Sequence, residues 1–192
     1  MKISLILIFI SSLLLSQDQD KQLRNFFNDL KNKTILVEIV EENSFFNANI
    51  SLKDSKIYFE TLASDSTISL FEKNLITSFD LSQKIIIIEN SEKNILDFFA
   101  YENFENASLI EVEKKNENSI YSYSFYDNIL LIIFNKSENM VSRINLIQSE
   151  KVIFECIIIE VNNYQNPLEF FNIDDTWTTI DWRLNWSLMQ FF

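Results

Sequence analysis

The chain has 192 residues, 47% hydrophobic and 14% aromatic, which is enough apolar material for a sizeable buried core. It contains no glycine, no histidine and a single cysteine, which excludes phosphate-cradling glycine loops, a Gly-x-Ser-x-Gly elbow, histidine-based triads and zinc sites, and an internal disulfide. The 16 basic against 28 acidic residues leave a net charge of -12, a field that repels a phosphate backbone, and Lys114-Lys115 is flanked by Glu111, Glu113 and Glu117.

The first 16 residues read as a secretory signal peptide cleaved after Ser16. Lys2 supplies the positive charge. An apolar run over residues 3–15 is broken only by Ser4, Ser11 and Ser12, and the polar stretch Gln17 to Asp20 follows. The expected product is an exported chain in which Cys156 is a buried thiol. Residues 18–31 then predict a helix: Leu23, Phe26, Phe27 and Leu30 share one apolar stripe, and Asp18 or Asp20 caps its start.

Beyond residue 33 the period changes to two. Strands are expected over 34–42, 45–52, 57–62, 68–72, 75–80, 84–89, 119–126, 129–134, 141–148 and 151–161. The turns between them use Asp, Asn and Ser, which close on their own backbone without glycine. Such a run of short strands describes an antiparallel meander that curls toward a barrel. Residues 85–88, 129–134 and 157–159 are apolar without alternation, so both faces of those strands need a cover. Two aromatic-rich pieces, 94–105 and 167–171, read as short helices able to supply it, with Pro167 in the first turn of the second. Ile180, Trp182, Leu184, Trp186 and Leu188 alternate with polar residues and read as a last strand.

The order of these pieces resembles a known family. The helix with Phe26-Phe27 is followed by strands 45–52 and 57–62. Segment 68–85 has Lys73-Asn74 where the family has an Asp-Gly turn, and Phe79-Asp80 where it has Tyr-Asp. Residues 94–104 sit in the place of a lid helix, and 161–171 are similar to the closing strand and its aromatic sequel. Over residues 18–175 the chain resembles the LolA-type outer-membrane lipoprotein carriers. The resemblance implies a mainly β fold with short α-helices: an unclosed antiparallel β-barrel with a helical lid over a hydrophobic cavity. It implies one domain over 17–192, with 176–192 as a tail strand.

It also implies a non-enzymatic periplasmic carrier without metal or cofactor. Such a carrier binds lipoprotein acyl chains and moves them toward the outer membrane, as a monomer. Its partners would be lipoproteins, an inner-membrane lipoprotein-releasing transporter and an outer-membrane acceptor, with no nucleic acid. The expected acyl-chain wall is Phe46, Ala48, Ile50, Leu52, Phe59, Phe71, Ile86, Ile88, Leu130 and Ile132. Leu96, Phe99, Leu168 and Phe171 are the expected lid. Stretch 53–60 has no arginine to match the family's latch, and Lys56 lacks a bidentate fork. The alternative is a non-shuttling periplasmic module of the same fold that binds lipid or protein. An acid–base pair from Asp174, Asp175 and Asp181, or from Glu41 and Glu42, is the only route to an enzyme that the residues offer, and neighbouring carboxylates are usually solvated surface.

Overall fold

The structure is a computed structural model that describes residues 21–41, 44–62, 67–72, 74–91, 95–99, 107–169 and 171–183. The expected leader, the caps Asp18 and Asp20, and the tail beyond Arg183 lie outside these residues. Helix α1 (Lys21–Asp29) comes first. Strands β1 (Lys33–Glu41), β2 (Ser44–Lys53), β3 (Lys56–Thr61), β4 (Thr67–Glu72), β5 (Leu75–Asp80) and β6 (Ile85–Asn90) follow. A 3-10 turn, Ile95–Phe99, separates them from β7 (Ser108–Lys115), β8 (Asn118–Phe125), β9 (Asn128–Asn135), β10 (Met140–Gln148) and β11 (Lys151–Asn163). The short β12 (Thr178–Asp181) closes the series.

All twelve strands join one sheet in the order β12-β6-β5-β4-β3-β2-β1-β11-β10-β9-β8-β7. The two ends do not pair, so the curved sheet is an open half-barrel. Register shifts interrupt β1–β11, β10–β11, β10–β9 and β7–β8. Each extra residue bends its strand and increases the local twist, which is how a long sheet curls instead of lying flat.

Alternation decides the two faces. Ile35 pairs with Ile50 and Val37 with Ala48, and all four are buried. Tyr121 and Tyr123 oppose Ile132 and Leu130 on the same face of the other half. Against this concave floor lies α1, whose Leu23, Phe27 and Leu30 are buried as the 3.6-residue stripe requires. Leu96, Phe98 and Phe99 of the 3-10 turn complete the cluster.

Three expectations need correction, and a fourth is described only in part. The strand β7 has no counterpart in the sequence reading, because the shift between Leu109 and Glu111 destroys its alternation and its edge position leaves most of it exposed. Of the short helical piece expected over 94–105, residues 95–99 form a 3-10 turn, and 94 and 100–105 lie outside the described residues. The helix expected over 167–171 is one turn at residues 167–169, in which Asn166 Oδ1 accepts from Leu168 N at 3.1 Å. The last strand starts earlier than expected and ends at Asp181, so Trp182 is not part of it, and it runs parallel to β6.

Reaching β6 from β11 requires a crossover, residues 164–177. Gln165 N donates to Thr34 Oγ1 at 2.9 Å, and the Lys53 ammonium sits 5.0 Å from the Tyr164 ring centroid. Thr34 and Lys53 alternate with Ile35 and Leu52, so the crossover runs over the convex face. It explains two buried polar residues on that face: Thr34 and Ser51 share a hydroxyl hydrogen bond of 2.9 Å beneath it. Ile68 and Phe79 are also buried on this side, apart from the concave core. Both faces of the sheet are thus partly covered, as the unalternated strands demanded. The cover is incomplete, for Ile129 and Ile159 remain 43% and 50% exposed.

Without glycine, eight described residues adopt positive φ: Asn32, Asp54, Lys84, Asn116, Tyr126, Asn139, Ser149 and Glu150. Ser149 (φ 50°) and Glu150 (φ 64°) form the two-residue hairpin between Gln148 and Lys151. Two consecutive left-handed residues define the hairpin type that prefers Asn-Gly, and a Cβ in that region costs energy. Replacing Ser149-Glu150 by Asn-Gly is expected to raise the unfolding free energy by about 1–2 kcal/mol. Urea denaturation checks it, and an unchanged midpoint refutes it.

Candidate binding face

The apolar concave floor is the feature a site can be built on. Ile50 pairs with Phe59 and Leu52 with Ile57, and Ile57 pairs in turn with Phe71. On the far half, Leu146 opposes Leu130 and Ile144 opposes Ile132. Cys156 lies between them, opposite both Ile39 and Ile144. Its thiol is free and buried, and burial pushes it up to about 12.

The structure places eight of the ten expected wall residues on this face: Phe46, Ala48, Ile50, Leu52, Phe59, Phe71, Leu130 and Ile132. Ile86 and Ile88 are on the other one. Ile86 opposes Phe79 in the convex row, and it is Ile85 and Ile87 that share the concave side. Four consecutive isoleucines carry no alternation, so sequence alone had no means of choosing between the two registers.

The floor is not bare. Ala48, Ile50, Leu130 and Ile132 are fully buried under α1 and the 3-10 turn. An aromatic plug holds that position. Phe98 and Phe99 lie 4.3 Å apart between centroids, and Phe27 meets Phe98 edge-on at 6.4 Å. Phe26 reaches Phe134 edge-on at 6.5 Å. Phe46, Phe59 and Phe71 lie at the margin of the plug and are half-buried, with Phe46 edge-on to Phe59 at 6.4 Å.

Only half of the expected lid belongs to this plug. Leu96 and Phe99 are in it, whereas Leu168 and Phe171 lie on the crossover, and Phe171 is 38% exposed. Phe27, Phe98, Tyr121 and Tyr123 are prominent members of the site that sequence reasoning did not assign to it. The signal for the tyrosines was present in the alternation Tyr121, Tyr123, Phe125.

Charged residues take structural roles. Asp174 Oδ1 accepts from the Thr176 hydroxyl at 2.6 Å and from Thr176 N at 3.0 Å, and the hydroxyl bond holds its carboxyl below the usual range. Asp181 is held low by a two-pronged pair with Arg183, at 2.8 and 2.6 Å. Of the other expected pair, Glu42 lies outside the described residues. Lys56, the nearest cation to the latch position, pairs with Glu72 at 2.8 Å across β3 and β4 on the convex side. It therefore points away from the plug. Among the described residues no group of three or more His, Cys, Asp or Glu is placed to hold a metal ion.

The fold and this face define a class: an unclosed half-barrel whose concave apolar floor is plugged by its own short helical segments. No family model and no curated protein matches the chain. Solved structures do. An uncharacterized conserved protein from Thermus thermophilus superposes with a TM-score of 0.52 at 9% identity, over 89% of this chain and 99% of that one. MucB gives 0.47 at 10% identity over 80% of this chain, which spans 61% of the MucB length. A DUF1329 family protein from Desulfovibrio piger gives 0.44 at 6% identity, over 80% of this chain and 95% of that one. The first superposition establishes a shared fold; the two weaker ones add no argument.

Proposed function

We propose that the chain is a non-enzymatic periplasmic carrier that takes lipoprotein acyl chains onto its concave face when the aromatic plug moves aside. One observation carries this reading: among the described residues, an apolar floor continuous from Tyr121 to Phe71 is covered by side chains of the α1 region and of the five-residue 3-10 turn. Burying one methylene is worth about 0.8 kcal/mol, so an acyl chain that replaces those side chains recovers comparable apolar contact. Phe46, Phe59 and Phe71, half-buried at the margin, are where the chain first docks. On this reading the leader is cleaved after Ser16, residues 17–192 form one domain, and the monomer exchanges cargo with an inner-membrane transporter and an outer-membrane acceptor. The resemblance in order and spacing to the LolA-type carriers supports these assignments.

The filled floor favours a second reading, a module of the same fold that binds a protein through its surface and carries nothing. Native mass spectrometry of the chain recovered from a periplasmic extract separates the two. A carrier is expected to show an added mass matching a triacylated lipoprotein or a phospholipid, and Phe59→Lys is expected to lose it. A bare chain that also refuses an added 16-carbon acyl probe refutes the carrier.

A further inference from the structure

One end of the convex face carries apolar side chains in water. Ile129 of β9 opposes Ile147 of β10, which opposes Val152 of β11. Val40 of β1 opposes Phe45 of β2. Leu62 prolongs β3 beside them, its N–H donating to the Asn47 carbonyl at 2.9 Å. Along their strands these residues alternate with the floor residues Leu130, Leu146, Ile39 and Phe46, so they stand on the opposite face. All six lie toward the end of the sheet that holds the β1–β2, β3–β4, β8–β9 and β10–β11 connections. Phe45 is 77% and Val152 51% exposed, and Leu62 and Ile129 are exposed as well.

The strands involved, β3-β2-β1-β11-β10-β9, are consecutive neighbours, so the side chains form one band. Five strand spacings of about 4.8 Å make it about 24 Å long, the length of a helix of about 16 residues. An apolar band of that extent left in water marks an interaction surface. The charges beside it choose the partner. The turns at this end carry Glu41, Asp127 and Glu150 against the cation Lys151. One row inward, Glu155 is tied to Arg143 at 2.9 Å, and Glu60 accepts from Asn49 Nδ2 at 3.0 Å. The band is therefore bordered by acid, in a chain of net charge -12. Such a border repels an anionic bilayer and attracts Lys and Arg.

We propose that this band docks an amphipathic segment of a partner protein whose apolar face is flanked by Lys and Arg. The apolar face of the segment lies on Phe45, Val152 and Ile129, and its cations meet Glu41 and Glu150. The surface is on the opposite side of the sheet from the acyl floor and does not depend on that floor binding anything.

The probe is a fluorescent Leu/Lys peptide of about 16 residues, patterned to give one apolar face as a helix. Its anisotropy is expected to saturate on titration with the chain. A peptide of the same composition with its leucines scattered, and one with Glu in place of Lys, are each expected to bind at least about tenfold more weakly. The double variant Phe45→Thr/Val152→Thr keeps β-branched side chains at exposed positions, and is expected to lose about tenfold in affinity with an unchanged urea midpoint. Glu41→Gln/Glu150→Gln, which keeps the shape, is expected to lose several-fold. Phe59→Lys, on the acyl floor, is expected to bind the peptide as the parent does. The proposal is overturned if the scattered peptide binds equally well, which would leave only the net charge at work. It is overturned equally if both double variants bind as the parent does, or if Phe59→Lys abolishes binding. Sedimentation of the chain with phosphatidylglycerol vesicles, lost in Phe45→Thr/Val152→Thr, would overturn it in favour of a membrane surface.

Discussion

Phe27→Ala lowers the unfolding free energy by about 3–5 kcal/mol, the usual cost of emptying a phenylalanine-sized hole in a core that cannot collapse around it. Phe27 is fully buried and is the hub of the plug. Its ring centroid lies 5.6 Å from Phe26, 6.4 Å from Phe98 and 6.5 Å from Phe99. Losing it removes dispersion contacts to all three rings and loosens α1 from the floor at Ile50 and Ile132. Domains of this kind hold only about 5–15 kcal/mol in total, so the variant sits close to the edge of folding. Phe45, 77% exposed on β2, is the control, and Phe45→Ala is expected to stay within about 0.5 kcal/mol of the parent. Urea denaturation of the three chains decides it. A cost under about 1 kcal/mol for Phe27→Ala would mean that the plug is not part of the folded core.

The second large effect concerns Cys156. Its thiol is buried between Ile39 and Ile144, and burial alone raises it from 9.0 to about 12. At pH 8 the reactive thiolate is therefore scarcer than in an exposed cysteine by about a thousandfold, before access is considered. A disulfide reagent is expected to leave the native protein unlabelled over hours and to label it at once in 8 M urea. Prompt labelling of the native chain would show that the floor opens far more often than its packing allows. The sign of the accompanying pH effect follows from the raised value. The unfolded thiol ionises above 9.0 while the folded one stays neutral, so this contribution is full below pH 9 and is lost as the pH rises toward 12. If the Phe27→Ala variant still folds, its Cys156 is expected to label faster than in the parent, because the plug that excludes the reagent is weakened.

These two residues also show how far sequence reading reaches. The stripe Leu23, Phe26, Phe27, Leu30 was legible as an amphipathic helix because its period matches 3.6, and three of the four side chains are buried. Ten strands were legible from alternation or from short apolar runs between turn residues. β7 was not, because a bulge erased its period, and neither was the true extent of β12, whose pairing is long-range and parallel. That Cys156 is a buried thiol was legible from its being the single cysteine of the chain; its place at the centre of the floor was not.

Composition and periodicity by themselves determined a β meander of short strands, the lack of histidine and glycine side-chain chemistry, the acidic net charge and the existence of an apolar face. These depend on residue type and spacing, which no tertiary contact can alter. Tertiary structure decided the rest. It placed Ile86 and Ile88 on the convex side, since register is a property of a pair of strands and four isoleucines in a row satisfy either choice. It sent Leu168 and Phe171 over the convex face, because a chain leaving β11 beside β1 must pass the strands from β1 to β6 before it can pair with the outer edge of β6. It also filled the concave floor with the chain's own phenylalanines, because an apolar surface of that extent is covered by whichever segment lies near enough in space, and nearness in space is not written in the local pattern.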